Sequence, residues 1–145
     1  MSAAEDLGLG SLATELNARI DTIEEAYEYF LAYASQGLPS DTGSDTGRQA
    51  RHQLQRCDTA LGGLAGVFTR YVEQEKLQPT APYDGFIAVI ERDAHDAQAA
   101  LQLVLAQPSI SSQIVDNLNA SIHLRALLTD LFLIDEVFKG HRQNS

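Results

Sequence analysis

Hydrophobic residues recur along most of the chain at intervals of three or four, the spacing of one face of an α-helix. Four stretches show this spacing, and the alternation of polar and apolar residues typical of β-strands is absent at any useful length. The chain is therefore predicted to be all-α, with each apolar seam facing a neighbouring helix. The seams are Leu12, Leu16, Ile20, Ile23, Tyr27, Phe30 and Ala34; Leu54, Cys57, Leu61, Leu64, Phe68 and Tyr71; Phe86, Ile90, Ala94, Ala97, Leu101 and Val104; and Leu124, Leu128, Leu131 and Phe138.

Four prolines separate these stretches and indicate where the helices end. Because proline is poorly tolerated inside a helix, we interpret Pro39, Pro79, Pro82 and Pro108 as breaks. The connections are short enough for antiparallel neighbours, so the simplest fold is an antiparallel up-down four-helix bundle, forming a single domain over residues 1–145. The four helices are predicted at about residues 11–36, 46–77, 84–107 and 110–139.

The first predicted helix carries four aromatic residues in the stretch EEAYEYFLAY, and they divide into two sets. Tyr27 and Phe30 lie within the apolar seam, whereas Tyr29 and Tyr33 form a separate stripe turned by more than about 100° from it. One interpretation places these two rings over a helix boundary with their hydroxyls in water. The other makes them a contact surface, since tyrosine is enriched in interfaces. The predicted partner-binding surface consists of this stripe and the acids beside it: Asp21, Glu24, Glu25, Glu28, Tyr29 and Tyr33.

Three glycines, Gly62, Gly63 and Gly66, interrupt the second predicted helix. Each costs about 0.8–1 kcal/mol relative to alanine in a helix interior, so their presence requires an explanation. Gly62 and Gly66 have the small-x-x-x-small spacing of a groove that another helix, a ring or a ligand can approach closely. The alternative is a kink or a locally soft helix with no partner.

The last predicted helix is apolar on two sides, which a helix on the outside of a small bundle does not need. One stripe runs through Leu124, Leu128 and Leu131. Two apolar faces indicate either a central position or a subunit boundary. We therefore expect a homodimer, with self-association through the second stripe; its candidate residues are Leu118, Ile122 and Leu133.

Charge narrows the classes of partner. The net charge is −10, and residues 1–45 account for −8 of it. An acidic chain is not expected to bind nucleic acid or an anionic membrane, and a basic protein partner suits it better. No basic region followed by an apolar run opens the sequence, Leu124–Phe138 is too charged to span a bilayer, and Cys57 has no second cysteine to pair with. The expected location is the cytoplasm.

The tripeptide DTG occurs twice, at Asp41 and Asp45, and DTG is the mark of retroviral-type aspartic proteases. That chemistry requires two carboxylates held at turns of a β-framework, and no strands are predicted here. We therefore interpret Ser40–Gly47 as a turn followed by a helix N-cap, because Ser, Asp and Thr side chains bond to nearby backbone N–H groups.

No metal site or cofactor is expected. The chain has no Glu-x-x-His motif, and Glu91 and His95 both point away from the third seam. A histidine phosphotransfer domain typically has Lys or Arg and then Gly three and four positions after its accepting histidine, where this chain has Gln98 and Ala99 after His95. Cys57 lies on the second seam and is expected to be a buried structural thiol.

These patterns favour a non-enzymatic interaction protein, such as an adaptor, an assembly factor or a regulator. It is expected to self-associate and to contact its partner through the acidic, tyrosine-bearing first helix. One alternative is a bundle that binds a small ligand or cofactor in a pocket bounded by Gly62 and Gly66. A further alternative is a phosphotransfer-like protein that uses His95 or His123.

Overall fold

The computed structural model of the chain describes residues 10–144, and every regular element in that range is an α-helix. The all-α prediction is therefore confirmed, with six helices where four were expected. No helix within the described range has the length and hydropathy needed to cross a membrane. The helices are α1 (Ser11–Ala34), α2 (Asp45–Leu61), α3 (Leu64–Gln74), α4 (Thr80–Leu105), α5 (Ser112–Ala120) and α6 (His123–Asn144).

The second predicted helix, at 46–77, divides into α2 and α3 at a pair of glycines. Gly62 has an extended backbone, and Gly63 has a left-handed one with φ of 70°. A side chain at Gly63 would be strained in that conformation, so the local sequence encodes the break. The continuous helix was a wrong prediction, and the helix is interrupted at these glycines.

The fourth predicted helix, at 110–139, also divides, into α5 and α6. Ile122 lies between them with φ of 65°, a conformation that is rare for a β-branched residue. At the other end of α5, the side chain of Ser111 caps the helix by accepting a hydrogen bond from the N–H of Ile114. Six helices do not fit a simple four-helix bundle, and that finer prediction is not confirmed.

The third predicted helix, at 84–107, begins four residues early, at Thr80 in α4. Pro82 therefore lies inside the helix rather than before it. This is allowed because the first turn of a helix has no backbone N–H partners to lose. The first helix matches its prediction within the expected uncertainty of the ends.

Helices α1 and α4 occupy the centre of the molecule, since each packs against α2, α3, α5 and α6. The seam of α1 faces the core as predicted, with Ile23 and Phe30 fully buried, although Tyr27 is only half-buried. Cys57 is buried in α2, as expected, and burial raises the pKa of its thiol to about 12. A thiol with that pKa is a packing residue and a poor nucleophile at neutral pH.

Candidate functional site

Helices α4 and α6 run antiparallel beside each other and form one side of the molecule. Tyr83 near the start of α4 stacks on Phe138 near the end of α6, with ring centroids 6.5 Å apart. Phe138 also contacts the ring of Tyr71 at 4.6 Å, which anchors this end of α6 on α3. The outer surface that α4 forms with α6 and with α5 carries the features described next.

An apolar pocket of about 330 Å³ opens between the start of α4 and the end of α6. Leu133 and Val137 line it from α6 and are 56% and 43% exposed. Pro82, Tyr83 and Phe86 line it from α4. Large aliphatic side chains exposed at the mouth of an apolar pocket mark an interaction surface more often than single scattered ones do.

A second apolar pocket, of about 380 Å³, opens at the other end of α4, against α5. Leu103 lines it and is 67% exposed, the highest value among the large hydrophobic side chains that are exposed. Ala100 and Val104 of α4 and Ile114 and Leu118 of α5 form much of the remaining lining. Both ends of α4 therefore carry an apolar pocket with an exposed aliphatic side chain.

Between the two pockets, a carboxyl group on α4 meets one on α6. Burial, a hydrogen bond with the Asp93 carboxyl and the charge of that carboxyl raise the pKa of Asp130 to about 7. When both acids are ionised neither can donate, and Oδ2 of Asp130 is buried without a partner. Two neighbouring carboxyls with no cation beside them favour a proton on one of the two. No ion pair among the described residues gives either carboxyl a basic partner.

The pockets and the acid pair share one surface because of helix geometry. Phe86, Asp93 and Ala100 are seven residues apart, which is close to two helical turns, so they lie on one stripe of α4. Asp130 and Val137 have the same spacing on α6. We call this surface, from the Phe86 pocket through the acid pair to the Leu103 pocket, the α4 groove. It follows about 26 Å of helix.

The acids predicted to bind a partner lie together on the outside of α1. Asp21, Glu25 and Glu28 are exposed, and Glu24 is half-buried. Partial burial and the neighbouring charges of Asp21 and Glu28 raise the pKa of Glu24. Glu25 forms an ion pair with Arg56 of α2 at 3.4 Å, so part of this charge is neutralised within the chain.

The two tyrosines predicted beside those acids are not an open stripe. Tyr33 is fully buried, and its hydroxyl donates a hydrogen bond to the carbonyl of Ile110 at 2.7 Å. Tyr29 is half-buried, and its hydroxyl donates to the carbonyl of Thr46 at 2.7 Å. Burial raises the pKa of both phenols. The expected outward orientation of Tyr33 is wrong, because the segment before α5 folds over the end of α1.

The residues predicted for self-association have different environments. Ile122 is 51% exposed, and Leu133 lies at the mouth of the first pocket. Leu118 is buried inside the chain, where α5 packs on its neighbours, so it is not an outward-facing residue. Gly66 is exposed on α3, and a Cβ added to it would meet no atom within 4 Å. Gly62 is exposed in the break before α3.

The segment Ser40–Gly47 forms the predicted turn and cap, and it also holds a buried acid. Ser44 caps α2 by accepting a hydrogen bond from the N–H of Gly47 at 3.0 Å. Asp41 is buried, pairs with Arg51 at 2.8 Å and accepts the N–H of Ile110 at 2.7 Å. Burial alone would raise the pKa of Asp41, but these two hydrogen bonds outweigh it and hold the pKa below its usual value.

The histidines proposed for phosphotransfer, His95 and His123, are both exposed. Among the residues that the structure describes, no three His, Cys, Asp or Glu side chains come together in an arrangement suited to a metal ion. A shallow depression of about 210 Å³ beside Gly66 includes His95 and Glu91 in its lining.

Comparisons with family models, with curated proteins and with solved structures find no match to this chain. The α4 groove is therefore assigned as the candidate site from its geometry alone. Sequence reasoning identified Leu133 but not the groove, because the acid pair and the pockets join residues from separate helices. The one available signal was the seven-residue spacing of Phe86, Asp93 and Ala100.

Proposed function

We propose that the protein is a non-enzymatic interaction module, an adaptor, assembly factor or regulator, that binds a protein partner through the α4 groove. The observation that carries the proposal is the pair of apolar pockets with exposed Leu133, Val137 and Leu103 at their mouths. Exposed side chains of this size lose contact with water when a partner covers them, which favours association.

Polar groups buried elsewhere in the fold also support this proposal, because their hydrogen bonds are made within the chain. The hydroxyl of Ser112 donates to the carbonyl of Tyr33 at 2.6 Å and accepts the N–H of Leu38 at 2.9 Å. Asp41 and Tyr33 are likewise bonded within the chain. These groups hold together the loops that follow α1 and α4, and their bonding capacity is used for structure.

Charge supports a basic partner. The acids on the outside of α1 add to a net charge of −10, and a field of this sign speeds the approach of a basic protein. In this proposal α1 steers the partner, and the α4 groove holds it. Glu24→Lys combined with Glu28→Lys should slow association in a salt-dependent manner while leaving dissociation nearly unchanged.

The proposal is tested by affinity capture from the source cells with three forms of the full chain. The groove variant combines Leu133→Glu and Val137→Glu, and the control is Leu31→Glu, an exposed leucine on α1. Circular dichroism should show that all three forms fold. A partner retained by the wild type and the control but lost from the groove variant supports the proposal. A partner that binds all three forms equally contradicts it.

Self-association is a competing proposal, supported by the exposure of Leu133 in the α4 groove and of Ile122 between α5 and α6. Sedimentation equilibrium of the purified wild type distinguishes it from a partner-binding groove. A dimer that dissociates in the Leu133→Glu, Val137→Glu variant would make a second copy the occupant. A monomer at about 100 µM excludes a specific homodimer of ordinary affinity.

A further inference from the structure

We propose that the α4 groove receives an amphipathic helix of the partner protein, with apolar residues at both ends and one lysine or arginine between them. This inference rests on the proposed function, and it specifies the chemistry of the partner. It follows from the order of features along the groove, which is apolar pocket, acid pair, apolar pocket.

The spacing of the pockets suits a helix. Phe86 lines one pocket and Leu103 the other, about 26 Å apart along α4 at the α-helical rise. A partner helix of about 18 residues covers the same length. An amphipathic helix presents a row of apolar side chains at helical spacing, the usual way in which such a helix fills an apolar groove.

The centre of the groove requires a cation. Asp93 and Asp130 are half-buried side chains, and no ion pair among the described residues gives either carboxyl a basic partner. A partner that covered this pair with an apolar side chain would bury its remaining negative charge without a counter-charge, which is unfavourable. A lysine or arginine supplies both the donors and the opposite charge.

The same argument disfavours a second copy of this chain in the groove. A two-fold axis through the centre of the groove would place one Asp93–Asp130 pair against the other. Each copy also carries a net charge of −10, so like charges would meet both locally and at long range. A partner with a basic residue at this position removes the conflict.

The test uses the full-length protein and three synthetic helical peptides of about 18 residues. All three have leucines in the first and last turns of one face, and they differ only in carrying Lys, Gln or Glu at the centre of that face. Binding is measured by fluorescence anisotropy to the wild type, to the double variant Asp93→Asn, Asp130→Asn, and to Glu91→Gln. Glu91 is exposed on α4 beside α3, away from the groove, and controls for a general loss of charge.

The Lys peptide should bind the wild type and Glu91→Gln at least about tenfold more tightly than the Glu peptide. In the double variant this preference should fall below about threefold. Circular dichroism checks that the variants fold, and the peptide ranking on the wild type remains decisive if the double variant does not fold.

Equal binding of the Lys and Glu peptides by the wild type would overturn the inference but leave the proposed function intact. Failure of all three peptides at about 1 mM would also overturn it, since even a weak specific site is detected at that concentration. So would a homodimer that the Leu133→Glu, Val137→Glu variant dissociates. The proposed function fails separately, when a captured partner binds the groove variant as well as it binds the wild type.

Discussion

Asp41 and Arg51 meet at 2.8 Å in an ion pair that joins three parts of the chain. The other oxygen of Asp41 accepts the N–H of Ile110. The guanidinium of Arg51 donates further to the carbonyls of Leu105 and Gln107, at 3.2 and 3.1 Å. This pair thus fastens the loop after α1 and the end of α4 to the first turns of α2.

Asp41→Ala should destabilise the protein by about 3 kcal/mol, because it leaves the partly buried guanidinium and an N–H group without their acceptor. Asp45→Ala is the matched control, since Asp45 occupies the same position in the second DTG and its side chain is 91% exposed. It should cost less than about 1 kcal/mol, the value of a surface ion pair and a helix-dipole interaction. Urea unfolding measures both variants, and equal losses would show that Asp41 does not have this anchoring role.

The two DTG tripeptides also show that local sequence does not determine the burial of a side chain. Their local sequences are the same, yet Asp41 is 5% exposed and Asp45 is on the surface. The difference arises from Ile110 and Arg51, which no local pattern brings to Asp41. Tyr33 was misjudged for the same reason, because its hydrogen-bond partner, Ile110, lies 77 residues away in the sequence.

Sequence patterns predicted the structure well where that structure depends on residues close together in the sequence. Helical periodicity predicted the all-α class and the buried seam of α1, because helix formation and amphipathicity depend on residues three and four apart. The glycines marked the site of the break before α3. The break at Ile122 had no such signal, since an isoleucine disfavours the left-handed backbone that it adopts.

Replacement by alanine should destabilise the protein at Gly47 and stabilise it at Gly66. A Cβ on Gly47 would overlap the backbone carbonyl of Asp41, so Gly47→Ala should destabilise the protein by about 2 kcal/mol or more. A Cβ on Gly66 would meet open space on an exposed helical face, so Gly66→Ala should stabilise by up to about 1 kcal/mol. Thermal melts decide the point. Destabilisation by Gly66→Ala would instead indicate a close contact at the predicted groove of Gly62 and Gly66.

Ile122→Gly should stabilise the protein despite removing a large side chain. The residue has φ of 65° and is about half exposed, so little buried area is lost. Relief of the left-handed strain, about 1–2 kcal/mol, outweighs the extra chain entropy of glycine, about 0.5–1 kcal/mol. Gly63→Ala is the reciprocal control, because Gly63 has φ of 70° and alanine there should destabilise. Chemical denaturation that finds Ile122→Gly less stable would mean that the exposed isoleucine makes contacts worth more than the strain.

The acid pair in the α4 groove should make stability fall as the pH rises from about 4 to about 8. Burial and the Asp93 carboxyl raise the pKa of Asp130 to about 7, well above the value of about 3.9 in an unfolded chain. The folded state therefore binds this proton more tightly. Its contribution is fully present below the unfolded pKa and is lost as the pH rises through the folded pKa. Asp41, whose pKa is lowered, loses its contribution only in acid, as the pH falls through its folded pKa, and does not affect this range.

Asp130→Asn removes the titrating group and leaves the Asp93 carboxylate a hydrogen-bond donor. The Tm of the variant should therefore decline much less than that of the wild type between pH 5 and pH 8. At pH 8 its free energy of unfolding should exceed that of the wild type by about 1 kcal/mol, a value reduced for the partial exposure of the pair. Asp96→Asn, an exposed acid on α4, is the control and should keep the slope of the wild type. Melting followed by circular dichroism at half-unit steps of pH provides the comparison. If Asp130→Asn and Asp96→Asn give the same slope, the two carboxyls do not share a proton, and the groove presents two independent charges to its partner.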